Sequence, residues 1–498
     1  MIEDIPNGLY LLMDPTVLLF MAIGVLAGIM IGALPGLTSP MALGLMIPLT
    51  FGMEAISALL FLLGIHFGAI YGGAITAILI NTPGTPAGAA AALDGYPLTK
   101  KGQSKKALQM AAFSAFFGAT LSVFSLIIFA PLLAKFAIAF GPSEYFALGI
   151  LGLSVVAGVA GRSLIKALIV AVFGVFISTI GHDSLFGVER FTFGSYYIYD
   201  GIDLVIALIG LFAVSQILIR LYEHKKEKIL TIHTKVSGEG LKFSEIKKYS
   251  RSMTKGGLIG VFIGSLPGTG AVMSSFFSYS EAVRSSKNPE KFGKGELEGV
   301  AAAESGSNGT ESAAMIPLLT FGIPGDVGMA VFLGALLLHG VNVGPELFTT
   351  SGDFLVALFA GIIVLEILIF LAAFYGSGLF SKAVTVPEYY LFPVIAVLVM
   401  TGSYALFNDI FFVWVALAFG LFGFLLIKLN YPIPPLLLGI ILGPIIENNF
   451  LLAMSSTGGN MVEFLIRPIT ATILVIAVFA VIIAVRIHRR VQKVQYDE

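Results

Sequence analysis

The sequence predicts an all-α, polytopic membrane protein made of two repeat units of inverted topology, with re-entrant hairpins and helices broken at Pro-Gly. Three observations predict it: an apolar composition, Lys and Arg gathered into a few loops, and one glycine-rich motif that occurs twice.

Of 498 residues, 57% are hydrophobic and only 12% are charged, against about 25% charged in soluble proteins. Apolar runs of the roughly 20 residues that a spanning helix needs recur along the chain, for example at 16–34, 107–133 and 469–485. The opening MIEDIPNGLY holds two acids and no basic residue, unlike the n-region of a cleavable signal peptide, so the first run is expected to be retained. A net charge of −1 gives no reason to expect nucleic acid, and the absence of cysteine excludes disulfides and thiolate metal sites.

Residues 1–99 contain no Lys or Arg, and TKKGQSKK then supplies four between Lys100 and Lys106. Loops rich in these residues stay cytoplasmic, which puts the N-terminus outside and residue 100 inside. Four apolar runs, 107–133, 144–160, 164–181 and 203–219, return the chain to the inside. There 220–255 carries ten Lys or Arg against four Glu. The basic tail RIHRRVQKVQYDE also belongs inside, which gives about 11 crossings plus two re-entrant hairpins. The expected division is a first unit at 1–221, a cytoplasmic linker at 222–255, a second unit at 256–485 and a cytoplasmic tail at 486–498.

GVLAGIMIGALPG begins at Gly24, and GGLIGVFIGSLPG begins at Gly256. The two agree at eight of thirteen positions at an offset of 232. A second Pro-Gly follows each copy, in ILINTPGTPAG (Pro83, Gly84) and in LTFGIPGDVG (Pro324, Gly325), at an offset of 241. The first copy enters from outside and the second from the basic loop, so the units face opposite ways, as in many secondary transporters. The Gly24, Gly28, Gly32 spacing reads as close helix packing.

Proline removes an amide hydrogen and glycine permits a sharp reversal. Irregular backbone at membrane depth persists only where protein or a water-filled cavity satisfies it. Four breaks therefore imply one shared polar cavity, lined by restarting helices whose free amides attract anions. Thr38, Ser39, Asn81, Thr82, Thr85, Thr269, Ser307, Asn308 and Thr310 surround the breaks, with no Lys or Arg in these motifs. They are the candidate substrate ligands. A co-bound Na+ or H+ would offset the anion's charge. Carbonyls freed at Pro35, Gly36, Pro267 and Gly268 are candidate cation ligands. So are the carboxylates of Glu304 and Glu311, seven residues apart on roughly one helical face, and of Asp326. His66 is a weaker candidate, better read as structural.

GALPGLTSPMALGLMIPLTFG, GAIYGGAITAILINTPGTPAGAAAALDGYPL, GSLPGTGA and AAAESGSNGTESAAMIPLLTFGIPGD together resemble the large membrane subunit of tripartite tricarboxylate transporters, from about residue 18 to 445. The resemblance implies a permease of a bacterial or archaeal cytoplasmic membrane that imports citrate-like carboxylates on a sodium or proton gradient. It also implies a small four-helix membrane subunit and an extracytoplasmic substrate-binding protein as partners. It adds Gly84 and Gly309 to the substrate residues and implies no cofactor. A passive anion channel is the alternative reading. An intramembrane enzyme is a poorer one, since no Gly-x-Ser-Gly, Gly-x-Gly-Asp or His-Glu-x-x-His motif occurs.

Overall fold

In the computed structural model of the chain, the described residues are 3–34, 37–154, 163–183, 185, 187–222, 236–266, 270–383 and 391–496. They are mostly helical. The one departure from an all-helical reading among them is an antiparallel pair of two-residue strands, β1 (Gly181–His182) and β2 (Glu189–Arg190). Gly181 and Gly187 take positive φ there and let the chain reverse between two helices.

The first unit begins with α1 (Ile5–Leu12) and α2 (Pro15–Gly32). Asp14 caps α2 by accepting from the Thr16 amide at 2.7 Å, and Pro15 stands at its first position. Next come α3 (Ser39–Met46) and α4 (Ala55–Ile80). At 1.5 Å per residue, the 26 residues of α4 reach about 39 Å, enough to cross the hydrocarbon core. Every residue from Ile56 to Leu79 is buried, so α4 forms the central shaft. Gly24, Gly28 and Gly32 of α2 lie on the backbone of Phe61, Ile65 and Ala69 of α4. A Cβ on Gly28 would stand 2.5 Å from the Ile65 carbonyl oxygen, so only glycine permits this approach. After the break, α5 (Ala89–Lys100) runs beside the end of α4, with Thr99 donating to the Ile78 carbonyl at 2.8 Å.

Helix α6 (Ser104–Ala137) follows, then α7 (Pro142–Ser154) and α8 (Leu164–Ser178). Next, α9 (Leu204–Leu208) and α10 (Ser215–Tyr222) are joined through a π-helical turn at Ile209–Val214.

Beyond the basic stretch come α11 (Phe243–Gly264), α12 (Gly270–Ser285), α13 (Leu297–Asn308), α14 (Met315–Phe321) and α15 (Val327–Leu338). Helix α11 starts within the stretch read as linker. Its polar first half lies before the motif, and the apolar part alone is short. Gly256, Gly260 and Gly264 of α11 contact Ala302, Gly306 and Thr310. These six positions are the six of the first unit moved by 232 and by 241. Asn81 ends α4 and Gly322 ends α14, both in the left-handed conformation and again 241 apart. Gly84 donates to the Gly73 carbonyl at 3.2 Å, and a Cβ on Gly325 would lie 2.7 Å from the Ala314 oxygen, the same pair shifted by 241.

The remaining helices are α16 (Leu347–Thr350), α17 (Gly352–Ala383), α18 (Leu391–Phe407), α19 (Ile410–Lys428), α20 (Ile433–Ser456), α21 (Met461–Leu465) and α22 (Pro468–Tyr496). Glycine contacts recur among them, Gly174 of α8 on Gly439 of α20 and Gly210 of the π turn on Gly420 of α19. Helix α22 docks on α7 through buried Glu144, which accepts from Thr470 at 3.0 Å and pairs with Arg467 at 3.3 Å.

Six helices among the described residues, α2, α4, α6, α17, α19 and α20, are long and apolar enough to cross a membrane, and six further apolar helices are shorter. A polytopic membrane protein follows. The basic loops meet at one end: Lys101 reaches the Lys294 carbonyl at 2.6 Å, Lys106 pairs with Glu245 at 3.0 Å, and Ser104 accepts from the Ser237 amide at 2.8 Å.

Candidate functional site

Helix α2 stops midway along the through-running α4, and α11 stops against the turn between α13 and α14. Helix α2 ends against Ala69 and α3 begins against His66, both near the middle of α4. In the second unit α11 ends against Thr310, while Ser274 of α12 donates to the Gly306 carbonyl at 2.7 Å. Pro35, Gly36, Pro267, Gly268 and Thr269 lie outside the described residues.

The helix starts that follow the four breaks converge. Ala87, in the 3-10 turn that leads into α5, meets Ala271 of α12 and Ile70 of α4. A Cβ on Gly270 would lie 3.8 Å from that of Asp326, the N-cap of α15. Ser39, at the start of α3, bonds His66, and the His66 ring lies on Gly328 of α15. Aligned amides give each helix start a partial positive charge of about half a unit. Several starts directed at one region form a site for negative charge.

The candidate substrate side chains fall into two groups. Asn81 and Thr82 are exposed, while Gly84 and Thr85 are buried, and the Thr85 hydroxyl has no partner. Thr38 is half-buried. Ser39 donates to the His66 carbonyl at 2.9 Å. The same hydroxyl lies against His66 Nδ1. His66 Nε2 is buried and has no partner. In the second group Ser307, Asn308, Gly309 and Thr310 are all buried. Asn308 donates to the Glu304 carbonyl at 2.8 Å and to its carboxylate at 3.4 Å, and Thr310 donates to the Ser307 carbonyl at 2.7 Å. The second group thus closes on its own backbone and on Glu304, whereas Asn81 and Thr82 are open.

The expected shared helical face of Glu304 and Glu311 is corrected: α13 ends at Asn308, and Glu311 lies in the turn between α13 and α14. The Gly309 break in SGSNGT ends the regular period. Both carboxyls are buried, and Asp326 accepts from the Met329 amide at 2.8 Å.

Two features escape the sequence reading. Glu366 of α17 is buried among apolar residues and touches Glu311. A lone carboxylate in an apolar run was the available signal. The second is a cavity of about 650 Å³ whose lining includes His182, Arg190, Gly322, Asn342, Glu447 and Asn449. Arg190 and Glu447 form an ion pair in its wall. It reaches Gly322, two residues before the second Pro-Gly. Arg190 lies in the two-residue strand β2, and no motif marked it.

Broken helices that meet inside an apolar bundle, with no basic residue at the meeting point, are those of a polytopic membrane protein. Residues 18–438 match the tripartite tricarboxylate transporter TctA family. The chain belongs to that family, a family of transporter membrane components and not of enzymes. It is 36% identical over 484 residues, 97% of this chain and 96% of the relative, to an uncharacterized 52.8 kDa protein in the TAR-I ttuC' 3' region of Agrobacterium vitis. An uncharacterized protein in the TAR-II ttuC' 3' region of the same organism is 37% identical over 225 residues, 45% of this chain and 93% of that relative. No solved structure matches the chain.

Proposed function

We propose that the chain is the carrier subunit of a three-component importer, moving citrate-like di- and tricarboxylates across a bacterial or archaeal cytoplasmic membrane. The observation that carries this reading is the convergence of helix starts on buried hydroxyls, amides and His66, without Lys or Arg. Such a site holds an anion by hydrogen bonds and helix dipoles, and a co-transported Na+ or H+ offsets its charge.

Thr38, Ser39, Asn81, Thr82, Gly84 and Thr85 form the first half-site. Thr269, Ser307, Asn308, Gly309 and Thr310 form the second. Matching glycine contacts and left-handed helix ends support two units of common design. The clustering of basic loops at one end supports their opposite orientation, with that end in the cytoplasm. Alternating access then follows as one unit yields to the other, with re-entrant hairpins lining the path. A small membrane subunit and a substrate-binding protein on the outer side complete the system.

Calorimetric titration of the purified protein with citrate, succinate and acetate, with and without sodium, tests the substrate class. Saturable binding of citrate or succinate but not acetate is expected. Equal binding of all three, or of none, contradicts it.

A further inference from the structure

Four carboxyl groups, those of Glu304, Glu311, Asp326 and Glu366, lie near the helix breaks. No Lys or Arg occurs between residues 295 and 381, a stretch that contains all four. Asp326 has its capping bond and Glu304 has the Asn308 amide. Glu311 differs. It is 1% exposed, and neither of its oxygens receives a hydrogen from any donor. The group it touches is the carboxyl of Glu366, 5% exposed, whose Oε1 also lacks a donor.

Two carboxylates in contact and out of water repel, and each has lost its hydration. One proton between them removes the repulsion and supplies the missing donor, turning the contact into a hydrogen bond from a carboxylic acid to a carboxylate. A metal cation would have to gather several oxygen ligands, and no group of three or more His, Cys, Asp or Glu among the described residues is placed to hold one. Glu304 of α13 and Asp326 at the start of α15 act on Glu311, and His66 and Tyr71 of α4 face those two groups in turn; α13 also carries Glu298, and α17 carries Asp353 and Tyr375. Helices α2 and α14 carry none, and the lysines of α6, Lys105, Lys106 and Lys135, stand at its ends.

The strip around Glu311 is also held by the parts expected to move. Thr310 meets Gly264 at the end of α11, the Ala313 amide donates to Ser122 of α6 at 2.8 Å, and Ala314 meets Gly325 of the Pro-Gly break.

We propose that the Glu311–Glu366 pair is the proton site of the carrier, taking up one proton in each cycle. This rests on the coupled-carrier reading above and names its cation. When the pair opens to the outside, a proton from water joins one carboxylate and the pair goes from two negative charges to one. When it opens to the cytoplasm, the same proton returns to water.

Infrared difference spectra of the purified full-length protein test the site without any transport assay. At neutral pH the wild type is expected to show a protonated-carboxyl carbonyl band that is lost or diminished in Glu366→Gln, and likewise in Glu311→Gln, each checked for a monodisperse fold. Unchanged bands in both variants overturn the proposal. In proteoliposomes with the membrane potential clamped at zero, one coupled proton supports about tenfold citrate accumulation per pH unit of gradient. Wild type should approach that ratio, while Glu366→Gln only equilibrates citrate. Accumulation driven by sodium alone and indifferent to pH overturns the proton site and leaves the carrier reading standing. Absence of any carboxylate movement in the wild type overturns the carrier reading instead, and with it the proton's role in a cycle.

Discussion

Gly28→Leu and Gly260→Leu are each expected to remove the folded protein. A Cβ at residue 28 would lie 2.5 Å from the Ile65 oxygen, and one at residue 260 would lie 2.5 Å from the Gly306 oxygen. Both obstacles are helix backbone, so no rotamer change relieves them and the helices must part. Overpacking against yielding side chains costs about 1–3 kcal/mol. Here the cost should exceed about 3 kcal/mol, a large share of the roughly 5–15 kcal/mol that holds a protein folded. Size-exclusion profiles of fluorescent fusions should show no monodisperse peak. Gly378→Leu is the control, because a Cβ there meets no other side chain or distant backbone within 4 Å. Profiles that match this control would show that the glycine stripes are dispensable.

Asn81→Gly is expected to fold normally and to lose uptake. Asn81 has φ 57°, in the left-handed region, which glycine adopts at no cost. The substitution therefore removes the amide and keeps the backbone. Losing a hydrogen bond to a charged carboxylate costs about 1.5–3 kcal/mol, about tenfold or more in uptake at low substrate. Asn81→Ala adds a left-handed strain of about 1–2 kcal/mol and should be at least as impaired. If Asn81→Gly transports like the wild type while Asn81→Ala fails, Asn81 is only a helix terminator.

The helical class and the glycine stripes were legible because they rest on local, periodic signals: long apolar runs and a four-residue spacing repeated at a fixed offset. The offset of 241 was legible too, since it joins Gly84 to Gly325, and the backbone sites that the glycine stripes touch are related by it. What was not legible is pairing across the chain. Glu366 stands alone in its apolar run, and only the fold brings it to Glu311. The partner of Ser39 is His66, 27 residues away, and no spacing rule connects them. The seven-residue spacing of Glu304 and Glu311 misled because the break at Gly309 interrupts the helix that the spacing assumes. Asn308 shows a different limit. Its type suits a ligand, yet in this state its amide is spent on Glu304.

The most direct test of coupled carboxylate import is citrate flux into proteoliposomes holding the full-length chain, with the pH and sodium gradients imposed separately and then collapsed by ionophores. Accumulation above the external concentration under at least one gradient, lost when that gradient is collapsed, is the expected result. Flux that only equilibrates citrate, and does so equally under every gradient, would contradict coupled import and leave a passive channel.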